Sequence, residues 1–373
     1  MKDDLKFRRK MMLVVGVLIL MGAGTWLLWP QSTISLTQVD QLGTQIQPVK
    51  TVEGRVGSRL ERQQLTEAGY QLTAAPNLKF RTAPQAIVVR YRPTLTSQQL
   101  QHKLKNYRYI GASFQVLNTG LGRHEQNYNR LANEMDRMRL LLSNDGIHWD
   151  RLAVNYPNIA VRDPNIIKIG DRWWIIYTAG LMWTTDFQKW HQVINAGLNP
   201  NGQFQKVWAP EIYRAADGTY HVVSANSTDG MTFQLYSYGF SPQTGVITDP
   251  QPVNVAGDFP NLIDPHIVYR QGIYELWAKD EQRHQLVRAV SADGMTFTGT
   301  QPVALPIRSG EVPEGPTELD HGKQHLLYFD LYDQHETFYG VQAVVLKDDQ
   351  ASSKRVSLQA DFLVRHFSVF AMR

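Results

Sequence analysis

The sequence predicts an all-β chain whose main body is a five-bladed β-propeller, and three observations predict it. Four segments repeat one phrase: a small turn ending in proline, an apolar strand, a tight turn, then an aromatic-rich strand. They read RDPNIIKIGDRWWIIYTAG, WAPEIYRAADGTYHVVSAN, IDPHIVYRQGIYELWAKD and EGPTELDHGKQHLLYFD. Their prolines, at 164, 210, 265 and 316, are 46, 55 and 51 residues apart, a spacing that suits units of several short strands. A second phrase follows the first three, as TTDFQKW, STDGMTF and SADGMTF, and an earlier SNDGIHW precedes them all. Asp-Gly between strand-like runs is a hairpin signal. No long amphipathic helix interrupts the region. With the piece YRYIGASFQVLNTG…DRMRLLLSNDGIHW the repeats number five. A β-sandwich also spaces its strands evenly, but it gives no reason for this phrase to recur.

Taken in order, the chain opens on a basic tail, residues 1–10, and then on Met11 to Trp29, nineteen residues without a charge. That is close to the roughly 20 needed to cross a bilayer as a helix. Lys2, Lys6, Arg8, Arg9 and Lys10 precede it, so the amino end is expected in the cytoplasm, with Trp26 and Trp29 at the far interface. A transmembrane signal anchor is expected over a cleaved signal peptide, since no small-x-small site precedes Pro30. The expected place is therefore the cell membrane, single-pass, with the main domain extracellular, or secreted if the segment is cleaved. Residues 30–107 read as a stem or linker, partly structured: QSTISLTQVDQLGTQIQPVK is Gln- and Thr-rich, QAIVVRYRP suits a strand and TSQQLQHKLKNY a short helix. Residues 108–373 are the propeller.

Charge and cysteine exclude several functions. The first ten residues carry five basic and two acidic side chains, leaving 33 basic against 32 acidic in the rest, so the +4 total belongs mostly to the tail. No basic stripe or RNP-like segment appears beyond it, which sets nucleic acid aside. With no cysteine, the chain has no disulfide, thiolate metal site or cysteine nucleophile.

In a propeller the first strand of each blade lines the central channel, so the proline phrases meet at one mouth. Glu314, in EVPEGPTEL, stands between Pro313 and Pro316, a stiff backbone where no helix forms. Asp163 and Asp264 occupy the corresponding phrases, and three carboxylates from three blades then converge on one funnel. Like charges in a concave site cost stability. Their convergence points to acid–base chemistry on a neutral, hydroxyl-rich ligand. Glu211, in WAPEI, reads as a structural hydrogen-bond partner. Trp208, Trp183 and Trp277 suit either sugar stacking or packing between blades. The S/T-x-D-G phrases, repeated in the blades, read as structural turns. No catalytic metal spacing occurs.

The order RDP…WAPE…IDP…EGP resembles glycoside hydrolase family 43, inverting arabinosidases and xylosidases built on a five-bladed propeller. The likeness covers roughly residues 130–373, including the ending VRHFSVF. It implies Asp163 as general base, Asp264 as the carboxylate that tunes and orients the acid, and Glu314 as general acid. Trp208, Arg162, Lys279, His266 and His366 are the expected substrate-binding residues, Lys279 and His366 through the family's pattern. The family segment usually reads His-Gly where this chain has His366-Phe367. An inverting glycosidase needs its two carboxyls about 6.5–9.5 Å apart, one protonated and one ionised. Glu314 is therefore expected to hold a proton near neutral pH and Asp163 to stay ionised, with Arg162 helping if it turns inward. No cofactor is required, and His266 and His366 offer places for a structural Ca2+ or a water in the channel. The expected partner is an oligo- or polysaccharide. The alternative is a catalytically inactive carbohydrate-binding propeller at the cell surface.

Overall fold

The structure, a computed structural model, describes residues 30–73, 78–117, 136–194, 196–321, 324–335, 337–347 and 350–373. The tail and the expected anchor, residues 1–29, lie outside the described residues. Among those described, no helix is long and apolar enough to cross a membrane.

The N-terminal stretch expected as a partly structured stem holds strands β1 (Gln31–Val39), β2 (Lys50–Arg55), β3 (Tyr70–Leu72) and β4 (Gln85–Pro93), ordered β2-β1-β4-β3 with β1 and β4 parallel. Helix α1 (Ser97–Leu104) follows, its amino end closed by a reciprocal bond between Thr96 and Gln99. The Gln- and Thr-rich run that reads as a spacer is β1, and its alternation is the reason. Ile34 and Leu36 are buried on one face, together with Ile46, Val52, Val89 and Tyr91. Polar neighbours thinned that pattern in the sequence without removing its period of two.

The remaining strands form β5 (Tyr109–Val116), β6 (Asp136–Ser143) and β7 (Asp150–Arg151); then β8 (Asn165–Ile169), β9 (Arg172–Tyr177), β10 (Gly180–Thr184) and β11 (His191–Gln192). Next come β12 (Lys206–Arg214), β13 (Tyr220–Ser227), β14 (Gln234–Phe240) and β15 (Gln251–Pro252), then β16 (Asn254–Val255), β17 (Leu262–Arg270), β18 (Ile273–Asp280), β19 (Gln285–Ser291) and β20 (Thr296–Pro302). The last are β21 (Glu311–His321), β22 (Gln324–Asp333), β23 (Phe338–Lys347), β24 (Gln350–Ser357) and β25 (Arg365–Ala371). They make five antiparallel meanders: β8 to β11, β12 to β15, β17 to β20 with short β16 added at its outer edge, β21 to β24, and β25-β5-β6-β7. In the last, the carboxy-terminal strand pairs with β5, Ser368 opposite Ala112, and so closes the ring.

The inner strands β8, β12, β17, β21 and β25 touch one another in cyclic order. One apolar cluster fills each junction between neighbouring sheets, for instance Trp174, Ile176, Val222 and Tyr238 between the sheet of β8 to β11 and that of β12 to β15. Sheets covered on both faces need strands that are apolar nearly throughout, which accounts for WWIIY and LLYFDLY. Five curled sheets in a closed ring are consistent with a five-bladed β-propeller.

Candidate active site

One local feature, repeated in all five blades, builds the site. Each inner strand carries a β-bulge in which two residues oppose one on the second strand. Ala209 and Pro210 fall between the pairs Trp208–Ala225 and Glu211–Val223. Asp264 and Pro265 fall between Ile263–Lys279 and His266–Trp277, and Gly315 and Pro316 between Glu314–Asp330 and Thr317–Tyr328. His366 and Phe367 fall between Arg365–Phe114 and Ser368–Ala112. In the remaining blade the Thr178 N–H donates to the Arg162 carbonyl and Asn165 pairs with Ile176, leaving Asp163 and Pro164 as the extra two. The first bulge residue is left-handed every time, with φ of 51° at Asp163, 43° at Ala209, 53° at Asp264, 58° at Gly315 and 37° at His366. Asp and His tolerate that region better than most residues, and Gly costs nothing there. Proline suits the second place because a bulge leaves an N–H unpaired and proline has none. From the sequence these prolines are expected in turns ahead of the strands. In three blades the strand instead runs through them.

The repeat explains which side chains meet. The residue before the bulge (Arg162, Trp208, Ile263, Glu314 and Arg365) lines one cavity of ≈ 860 Å³ in every blade. So do Asp163, Asp264 and His366 from the left-handed position, and Thr178, Lys279, Asp330 and Phe114 from the second strand opposite. The three expected catalytic carboxylates thus share one cavity with Arg162, Trp208, Lys279 and His366. Glu314 comes from one place earlier in its bulge than the two aspartates do. Its own left-handed position favours glycine, since at φ 58° a side chain is strained and a Cβ on Gly315 would crowd His366 Nδ1 at 3.2 Å.

His266 does not line the cavity. It is buried one step deeper, where its Nδ1 meets Glu211 at 2.7 Å and its Nε2 accepts the Glu318 N–H. It belongs to a belt of residues just past the bulges that tie neighbouring inner strands together. Asn165 accepts the Ile212 N–H, and Ser368 donates to the Pro164 carbonyl. Glu211 thus takes the structural role read for it. Trp277 is fully buried with its indole N–H on Glu318, and Trp183 stacks on His191, so both leave the cavity. Trp208 lines it, but lies against Phe233 with ring centroids 4.3 Å apart.

Within the cavity, Asp163 accepts the Thr178 hydroxyl at 2.8 Å and faces His366 Nδ1 at 3.5 Å and Arg162 Nε at 3.8 Å. Asp264 accepts the Gly315 N–H. Both oxygens of Asp330 take the His366 N–H. Lys279 Nζ lies 2.6 Å from Glu314 and 2.6 Å from Glu281. Burial pushes Asp264 up to about 7, with Glu314 and Asp163 adding to it and the His366 charge opposing. Burial likewise brings Asp330 to about 7. For His366, burial favours the neutral ring, yet Asp163, Asp264 and Asp330 together raise it to about 9. Burial would also raise Glu314, but Lys279 outweighs it and holds the carboxyl below its ordinary value. This reverses the protonated state expected of Glu314. The sequence showed Asp264 as its neighbour and gave no sign of how close the ammonium would come.

The residues do not fit a calcium ion. Calcium takes six to eight oxygens, whereas Asp330 and Asp264 are occupied by N–H donors and a cationic His366 stands among them. Among the described residues no group of three or more acidic or histidine side chains is arranged to hold a metal.

Reading the sequence missed Asp330, Thr178 and Arg365. Superimposing the repeats strand by strand would have found them, since Thr178 and Asp330 hold the place of Lys279, and Arg365 that of Arg162. The class that fold and site define is a propeller-like ring of five sheets with an acid-lined cavity built at the bulges of its inner strands.

No family model matches the chain, and no curated protein matches it. Among solved structures it is similar to an endo-1,4-β-xylanase from Bacteroides thetaiotaomicron, at 12% identity and TM-score 0.47, covering 60% of this chain and 88% of that one. It is similar to a thermostable family-43 glycoside hydrolase, at 13% and 0.47, covering 61% and 88%. It is similar also to an α-L-arabinofuranosidase from Lactobacillus brevis, at 19% and 0.41, covering 52% and 73%. The family that the motifs resemble is thus among the structures it is similar to.

Proposed function

We propose that the cavity is the active site of an inverting glycoside hydrolase acting on pentose-containing glycans, α-L-arabinofuranosides or β-xylosides, outside the membrane. The observation that carries this is the meeting of Asp163, Asp264 and Glu314 from three blades in one cavity, where the proton affinities of Asp264 and Glu314 are moved in opposite directions. In this reading Asp163 is the general base that activates water, Glu314 the general acid at the leaving oxygen, and Asp264 the carboxylate that tunes and orients Glu314. A substrate oxygen beside Glu314 desolvates it and favours its protonated form, while Lys279 keeps Glu281 as its second partner.

A second reading has its own observation. The Lys279–Glu314 pair holds the expected acid ionised, as suits a carbohydrate-binding propeller that does not turn over. Incubation with aryl α-L-arabinofuranosides and β-xylosides, set beside glycan-array binding, separates the two. For the enzyme, Glu314→Gln keeps sugar binding and lowers turnover about 10²-fold or more. The loss shrinks with a dinitrophenolate leaving group, whereas Asp163→Asn shows no such rescue. Equal losses for both variants on every leaving group reject these roles. The uncharged run 11–29 is proposed as the membrane anchor. The full chain should then sediment with membranes and be released by deleting residues 1–30, and a mature chain beginning after residue 30 in the medium excludes this.

A further inference from the structure

The cavity's charges are not all answered from within. Each carboxylate lining it meets a donor or a cation: Thr178 for Asp163, the Gly315 N–H for Asp264, and the one Lys279 ammonium, shared, for Glu281 and Glu314. The His366 N–H serves Asp330, and the Thr337 N–H serves Asp333. Among the cations, Lys279 and His366 are taken up by these carboxylates. Lys206 is different. It lines the cavity, half-buried, and among the described residues no carboxylate pairs with it. Its ammonium sits 4.8 Å from the Trp208 ring centroid and 5.9 Å from that of Phe233. An aromatic face holds a cation in place without neutralising it. Lys206 and Trp208 are two apart on β12, so they share a face of the strand, and both reach the cavity. Arg162, just ahead of the neighbouring inner strand β8, adds a second positive group to the cavity lining.

From this arrangement we infer that Lys206 is a specificity-determining residue which pairs with a carboxylate on the substrate, so that the preferred glycan carries a uronic acid next to the pentose. This rests on the glycosidase reading and narrows it, replacing the wholly neutral ligand that the sequence suggested. A neutral glycan leaves Lys206 unpaired in a concave, partly desolvated wall. A uronate supplies the missing charge, and a charge-assisted contact of this kind selects partners more than it tightens all of them. The carboxylate would sit on the Trp208 side of the cavity, away from the Lys279–Glu314 pair, where the ionised Glu314 would repel it.

The test uses the full chain and two probes that differ in one group: a xylo-oligosaccharide bearing a glucuronic acid branch, and the same oligosaccharide with that carboxyl reduced to the alcohol. Affinity is read by calorimetry in the Glu314→Gln variant, so that neither probe is consumed. The expected result is binding of the uronate form about tenfold tighter than the reduced form, fading as salt is raised. Lys206→Met should abolish the difference and leave affinity for the reduced form within about twofold. Lys206→Arg should keep most of it. Equal affinity for the two probes, or a preference that survives Lys206→Met, overturns the inference. If aryl pentosides are hydrolysed while carboxyl reduction changes nothing, the glycosidase reading stands and this inference alone falls. If neither aryl pentosides nor either oligosaccharide is recognised, both fall.

Discussion

Lys279 decides what Glu314 does at rest. A general acid works only while protonated, so activity falls as pH rises through its pKa, and the nearby ammonium holds that pKa low. Lys279→Met should therefore move the falling limb of kcat/KM to higher pH. Glu281→Gln, which leaves Lys279 wholly to Glu314, should move it lower. Opposite movements, or none in a folded variant, would remove Lys279 from this role. Asp330 gives a second test, in stability. Its folded pKa of about 7 lies above the unfolded value, so the folded state holds the extra proton between roughly pH 4 and 7. Stability from this group is complete below that window and is lost as pH rises through it. Asp330→Asn should flatten the fall by at most about 1.4 kcal/mol per pH unit, measured by denaturant titration across the window. The turn aspartates Asp145 and Asp293, held at about 2 by backbone N–H donors, act in a lower window and leave this one alone.

At the scale of the element, the bulge is the unit that builds the site, and its cost differs by blade. Ala209 at φ 43° is strained where glycine would not be, yet glycine also loosens the unfolded chain. Ala209→Gly should change stability by less than about 1 kcal/mol. Gly315→Ala should cost more, about 1–2 kcal/mol for the left-handed backbone alone, and should also impair activity because the new methyl meets His366. Thermal melts and rates on an aryl pentoside separate the two variants. The turn phrases carry a similar exception. Asp145, Asp186, Asp229 and Asp293 each accept two backbone N–H groups in the same geometry. Three of these turns place glycine at the left-handed position, and the fourth places Phe187, at φ 55°. Phe187 is fully buried beside Trp173 and Trp190, so packing outweighs backbone strain. Phe187→Gly should destabilise by about 2–4 kcal/mol despite relieving that strain.

For the whole molecule, the N-terminal sheet is fastened to the ring by buried polar groups. Asp40 accepts N–H donors from Leu42, Thr44 and, across the boundary, Tyr156. Arg139, fully buried in β6, donates to the carbonyls of Gln45 and Ile46, and the Tyr70 hydroxyl donates to Val154. Donors and acceptors so deeply buried are costly to leave unpaired. Asp40→Ala should cost about 2–3 kcal/mol. Sheet and propeller should melt in one transition, and a truncation that removes residues 30–107 should lower the melting temperature of what remains. Two separate transitions in the intact chain would show the sheet to be an independent stem.

The sequence by itself determined the repeat, the number of blades and the three carboxylates, because each depends on residues near one another in the chain: proline before an apolar run, Asp-Gly in a turn, period-two alternation. It also carried, unread, the second-strand places of Thr178 and Asp330, since these recur at fixed offsets from the prolines. Only the tertiary structure decided that Lys279 reaches Glu314, that His366 stands as a cation among Asp163, Asp264 and Asp330, that His266 turns into the belt below the cavity, and that Lys206 meets no carboxylate among the described residues. Each is a meeting of groups on different strands or blades, where a distance of a few ångströms sets the sign of a charge interaction. Strand propensity and turn chemistry act along the chain and are written in its order. Electrostatics acts through space, and the ring must close before its terms exist.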